Sequence, residues 1–244
     1  MDLAQGWTPT TTEVDEEPVR VEFRAEGLRH ELDACDVRDI AFEWCDPVRE
    51  FPGWPGKRNY DGHFWMSRSG RSVPFESLVE RCCLIELDRM ADVVEVASQP
   101  MWIRWGGASS MRHAPDYFVR LADGSAVVVD VRPARRIDEG ARTRFDRTAR
   151  FCAALGWSFV VFDGISSTRE ANLRFLMRYR DERWDSTDAR VPGNQPRTVA
   201  SVSQYLGRDV AGLARCYQLL WRGVLVADLE LPITMTTPVK FKES

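Results

Sequence analysis

Lysine is almost missing from this chain: only Lys57, Lys240 and Lys242 are lysines among 33 basic residues, and none lies between positions 57 and 240. Any cationic role in that span falls to arginine, whose guanidinium stays protonated, so it can orient a water or neutralise a phosphate but cannot serve as a general base. Cysteine is sparse and scattered. Cys35, Cys45, Cys82, Cys83, Cys152 and Cys216 form no C-x-x-C pair and no Cys/His cluster of zinc spacing, which argues against a disulfide scaffold or a zinc site and leaves them as buried thiols. No stretch approaches the roughly 18 apolar residues of a membrane helix, and the N-terminus lacks the basic-then-apolar order of a signal peptide. A cytoplasmic protein is the expectation.

What is present describes an ordinary globular chain: 244 residues, 44% hydrophobic and 29% charged, enough for one large domain or two small ones. The formal charge of −4 is unevenly spread, with −6 on residues 1–35 and +2 on the rest, so a net acidic sum does not exclude a nucleic-acid partner.

Residues 1–18 are polar, acidic and aperiodic and read as a disordered tail. Residues 19–70 read as a β-rich segment, opened by the alternating V-R-V-E-F-R and followed by a Pro/Gly-rich stretch that forbids a long regular element. In that stretch Arg49, Lys57 and Arg58 interleave with Trp54, Tyr60 and Trp65, either to grip a phosphate backbone and stack on bases or simply as an aromatic-anchored loop. Residues 71–180 read as an α/β core: an amphipathic helix over 74–91, strands V-V-E-V-A-S and M-W-I-R-W around Gln99-Pro100, a hairpin D-Y-F-V-R-L/A-V-V-V-D-V-R, a helix over 138–155, the strand W-S-F-V-V-F-D and a helix over 168–179. Residues 181–197 are the best linker. Residues 198–244 read as helix, turn, helix and the strand V-L-V-A-D-L-E-L-P, the outline of a small winged-helix-like module.

The chemistry concentrates on the hairpin. A three-residue turn with Gly124 in the left-handed position pairs Leu121 with Ser125 and sets Asp116 directly opposite Asp130, with Arg132 two residues beyond on the same face. A two-residue Asp123-Gly124 turn would instead oppose Asp116 to Val131. In the first register two carboxylates face each other, an arrangement that normally requires a cation or a shared proton. With a third carboxylate from the upstream helix such a pair suits Mg²⁺-assisted phosphodiester hydrolysis, and Glu80 is the candidate. Glu80 also completes a capping box, S-L-V-E, in which it would merely satisfy a backbone amide.

The run P-F-E-S-L-V-E-R, then S-Q-P-M-W-I-R-W, then H-A-P-D-Y-F-V-R-L-A-D-G-S-A-V-V-V-D-V-R-P resembles the PD-(D/E)XK nucleases, and within them the TnsA-like endonuclease subunit of heteromeric transposases, over roughly residues 45–165 and more weakly in the C-terminal module. The resemblance implies a restriction-endonuclease-like core, a central mixed sheet flanked by helices. It implies catalytic roles for Glu80, Asp116, Asp130 and Arg132, the first three holding Mg²⁺ or Mn²⁺, with Gln99 at the family's Q-P strand break. It also implies cleavage of the 5′ strand at transposon ends beside a DDE-type transposase and a regulatory ATPase. Arg132 stands where the family has lysine; its plain alternative is an ion pair with Asp130. His113, three residues before Asp116, is a supporting candidate, for a phosphate contact or proton transfer. Arg135, Arg136 and Arg142 begin an arginine-rich stretch that reads either as a phosphate track or as a solvated helix face. Two rival functions remain: a stand-alone defence or repair nuclease, and a catalytically weak subunit that binds DNA or partners.

Overall fold

The structure, a computed structural model, describes residues 3, 6–9, 18–49, 60–106, 111–185, 197–207 and 209–242. Two compact units divide the chain: residues 1–84 with 92–164, and residues 85–91 with 165–244. Among the described residues the fold is mixed α/β, with several sheets and five α-helices. No helix is long and apolar enough to cross a membrane among the described residues.

In the first unit, β1 (Val19–Ala25) and β2 (Leu28–Asp33) form an antiparallel hairpin, and β1 also pairs with β6 (Met101–Trp105), which carries the two-residue β7 (Arg112–His113). A second hairpin joins β3 (Gly62–Met66) to β4 (Arg71–Phe75). Its alternation, with Phe64, Met66 and Val73 buried, is obscured in the sequence by the Pro/Gly-rich stretch before it, where only a long regular element is excluded. The other four-stranded sheet has the order β10-β9-β8-β5, with β5 at Val93–Ser98, β8 at Tyr117–Leu121, β9 at Ala126–Val131 and β10 at Ser158–Phe162. Its pairs are antiparallel except β9 with β10, which run parallel through the crossover helix α2 (Glu139–Ala154). Asp138 caps α2 by accepting from the Ala141 amide at 2.8 Å. Helix α1 (Leu78–Arg89) precedes β5.

Alternation along β8 and β9 puts Phe118, Ala126 and Val128 on one face. There they join a core with Val21, Phe23, Met101, Ile103 and, from α2, Phe145 and Cys152. The N-terminal strands are therefore part of this core and not a separate segment. Trp7, expected in a disordered tail, donates its backbone amide to Phe159 O at 2.7 Å and its indole Nε1 to Asp146 at 2.6 Å, and packs edge-on against Phe145. One aromatic ring suffices to anchor residues 6–9 despite polar surroundings. Five cysteines are buried as expected; Cys35 is exposed.

The second unit contains α3 (Ser167–Leu176), α4 (Val199–Leu206), α5 (Val210–Trp221) and a small sheet of order β11-β13-β12, formed by Arg197–Thr198, Pro238–Phe241 and Leu225–Val226. The boundary falls at residue 164, ahead of the expected linker. Helix α3 belongs here because the Asn172 amide donates to the carbonyls of Leu229 and Leu231 and accepts from the Ile233 amide, while Phe175 stacks edge-on against Tyr217. The same contacts shorten the strand expected over residues 224–232 to Leu225–Val226, because carbonyls that could enter a ladder are bound by Asn172 and the Glu230 amide turns onto Asp228. Between α4 and α5 a Cβ on Gly212 would meet Gly207 O at 2.1 Å, so only glycine permits this close approach. Residues 186–196 of the expected linker lie outside the described residues.

Candidate functional site

The hairpin takes the three-residue turn. Leu121 N donates to Ser125 O at 2.9 Å, Gly124 has φ +85°, and Tyr117 pairs with Val129, a register that continues to Asp116 opposite Asp130. Both acids share the face of Phe118 and Val128, at the end of the strands where the core gives way to a cavity of about 290 Å³. Asp116, Asp130, His113, Arg49, Arg132, Arg144, Arg112 and Trp102 are among the residues lining it.

Asp116 Oδ2 accepts the Val131 amide at 2.7 Å. Burial first, then the Asp130 and Glu80 carboxylates, and also a hydrogen bond with Asp130, hold the Asp116 carboxyl well above the usual carboxylate range against the pull of that amide. Asp130 is 5% exposed, and its Oδ2 lies 2.6 Å from His113 Nε2. The imidazole thus reaches a carboxylate rather than standing free for a phosphate, although it still lines the cavity.

Glu80 lies in the field of Asp116, but both its oxygens are occupied: Oε1 accepts the Ser77 hydroxyl at 2.8 Å and Oε2 the Glu76 amide at 2.7 Å, while the Glu80 amide donates back to Ser77 Oγ at 3.2 Å. Burial raises its carboxyl, with these bonds opposing. The capping alternative is formed at Glu80, which also lies in the field of Asp116. Among the described residues no group of three or more His, Cys, Asp or Glu side chains is arranged to hold a metal. The remaining pair does fit a hard cation: two carboxylates facing each other across the strands suit Mg²⁺, which binds through one or two carboxylates and takes its other ligands from water and substrate.

Arg132 does not form the alternative ion pair with Asp130; its Nε donates to Arg136 O at 2.8 Å, with the guanidinium still lining the cavity. Gln99, 1% exposed, adopts φ +46°, sends its amide to Asp116 O at 2.9 Å and its Nε2 to Glu76 Oε2 at 3.2 Å, and leaves Oε1 without a partner. Arg135, Arg136 and Arg142 are exposed and outside the cavity lining; of the arginine-rich stretch, Arg144 joins Arg132 there, while Arg147 lies 5.5 Å over Trp105. Lys57 and Arg58 lie outside the described residues.

Sequence reasoning missed Trp102 and Arg112, the latter stacked 4.7 Å over the former. Alternation in M-W-I-R-W was the available signal, since Met101, Ile103 and Trp105 are buried and Trp102 must point the other way. No protein-family model matches the chain, and no curated protein matches it.

Proposed function

We propose that the chain is a Mg²⁺-dependent DNA endonuclease with a restriction-endonuclease-like core, the TnsA-like subunit of a heteromeric transposase. The observation that carries this reading is the Asp116/Asp130 pair, opposed across β8 and β9 at a cavity rimmed by arginines. A mixed sheet in which three antiparallel strands meet a parallel β-α-β crossover supports the core assignment. Two helices and a three-stranded sheet support a winged-helix-like module that docks DNA or a partner. The transposase and ATPase partners and the 5′-strand cut come with the family resemblance.

Asp116 and Asp130 would hold the cation, with Mn²⁺ as its substitute. Bound there, Mg²⁺ supplies Lewis-acid activation of the attacking water and offsets charge on the leaving oxygen. The chain's own contribution is positional. The Val131 amide fixes Asp116, and Arg132 and Arg144 present charge toward a phosphate entering the cavity. Arg112 and Trp102 give the same cavity a cation and an aromatic wall.

A second reading, a catalytically weak binding subunit, is favoured by one observation: Glu80 is held in its helix cap, which leaves two carboxylates in place of three. Nicking of supercoiled plasmid with Mg²⁺ and with Mn²⁺, alone and with the partner transposase, separates the two. The endonuclease nicks in a divalent-dependent manner and loses nicking in Asp116→Ala and Asp130→Ala by on the order of 10³-fold. Divalent-independent or absent cleavage with retained DNA binding selects the binding subunit.

A further inference from the structure

Asp130 differs in its partner from the buried acids Glu22 and Glu43. Glu22 and Glu43 are each bound by arginine, whereas Asp130 Oδ2 meets an imidazole at 2.6 Å, with the two side chains 7% and 11% exposed. His113 is itself well anchored. It sits on β7, paired with Ile103 of β6, and the Trp105 amide bonds Met111 O just upstream at 2.9 Å. Asp130 belongs to the other four-stranded sheet, so this side-chain contact links the edge strand of one sheet to the acid pair of the other.

Resting on the two-carboxylate reading above, we propose that His113 is a positioning residue: its Nε2 hydrogen bond locks the Asp130 carboxylate in the orientation that turns one oxygen toward Asp116 and the shared cation. An ionised carboxylate accepts from the ring N–H, and a bond this short fixes the carboxylate's rotation. Partners of this kind behind a metal ligand set its direction and basicity, and their loss weakens metal binding without removing a ligand. The Nε of Arg132 donates instead to the Arg136 carbonyl. The resemblance assigns no such role to position 113; it follows from the contact between the two sheets.

The test is calorimetric titration of Mg²⁺ into the full chain, without DNA, for wild type, His113→Ala and His113→Gln, with thermal melting alongside. Glutamine carries an amide N–H near the reach of Nε2. His113→Ala should raise the Mg²⁺ Kd about 10–100-fold, and His113→Gln should recover most of that loss. If His113→Ala does not fold, the glutamine variant carries the test: a Kd near wild type with normal melting supports the role. A Kd for His113→Ala equal to that of wild type overturns this inference alone, as does a folded His113→Gln that binds as weakly as His113→Ala. A wild type that takes up no Mg²⁺ overturns the two-carboxylate reading and this inference with it.

Discussion

Glu86 and Asp88 in the second unit and Asp116 and Asp130 in the first are carboxyls enclosed by protein, yet their charge is handled in opposite ways. Glu86, 2% exposed, takes the Arg169 guanidinium at 2.5 Å, and Asp88 takes Arg180 at 2.7 Å. Burial alone would push the Glu86 carboxyl up, but the Arg169 bond and charge bring it below its ordinary range. Asp116 has no such cation and is pushed the other way, by burial and then by Asp130 and Glu80. Elsewhere in the first unit Glu22 is held by Arg29 and Arg104, and Glu43 receives a two-pronged bond from Arg120. Arginine is thus the partner of Glu22, Glu43, Glu86 and Asp88 alike. Asp116 and Asp130 are handled differently, the first taking a backbone amide and the second the His113 imidazole, and this difference supports the proposal that the pair is a site and the others are scaffold.

The comparison breaks first, and most severely, at the scaffold pairs. Arg180→Ala leaves Asp88 enclosed without its guanidinium and should cost about 3–5 kcal/mol, the range for removing one partner of a buried ion pair. Denaturant unfolding measures this; a loss below about 1 kcal/mol would mean that Asp88 does not depend on its arginine and would remove the contrast with Asp116 and Asp130.

A smaller effect is expected at Arg132, the cavity-lining arginine set against a phosphate in the proposed function. If the guanidinium neutralises a phosphate, Arg132→Ala should slow single-turnover nicking about 10–100-fold, the equivalent of the ~1.5–3 kcal/mol of a hydrogen bond to a charged group. Arg132→Lys keeps the charge and loses the planar fork, so it should fall between the two. Equal rates for wild type and Arg132→Ala remove the residue from the chemistry.

The smallest effect has the opposite sign. Because the folded Asp116 carboxyl lies above its unfolded value, the stability it lends is fully present below the ordinary Asp range and lost as pH rises through the folded value. At neutral pH the metal-free wild type carries that cost. Asp116→Asn removes it and keeps an oxygen for the Val131 amide, so it should melt about 2–4 °C higher at pH 7, the shift that ~1 kcal/mol produces in a chain of this size. The gap should close on acidification. A variant that melts lower at pH 7 would make the pair structural.

Much of this site was legible because it is local. The Ala122-Asp123-Gly124 turn sets the register, and the register sets the acid pair; fifteen residues carry the whole argument, and the left-handed Gly124 decided between the two turns the sequence allowed. Glu80 was legible as well, in both its readings, since Ser77 at the helix start offers it a local partner. What escaped depends on contacts between elements. His113 finds Asp130 across two sheets, and no periodicity announces that. Trp7 finds Asp146 across 139 positions. Helix α3 has the amphipathic pattern of any core helix, and the bonds from Asn172 and the Phe175–Tyr217 contact show which unit it belongs to. The hairpin of β3 and β4 was hidden because proline and glycine just upstream dominate the local signal.

The most direct measurement is Mg²⁺ uptake by wild type, Asp116→Ala, Asp130→Ala and Glu80→Gln, followed by titration calorimetry on the full chain. The account predicts one cation per wild-type chain, no detectable uptake in either aspartate variant and uptake near that of wild type in Glu80→Gln, whose side chain serves the helix cap. Uptake that survives both aspartate substitutions, or that vanishes in a folded Glu80→Gln, would contradict it.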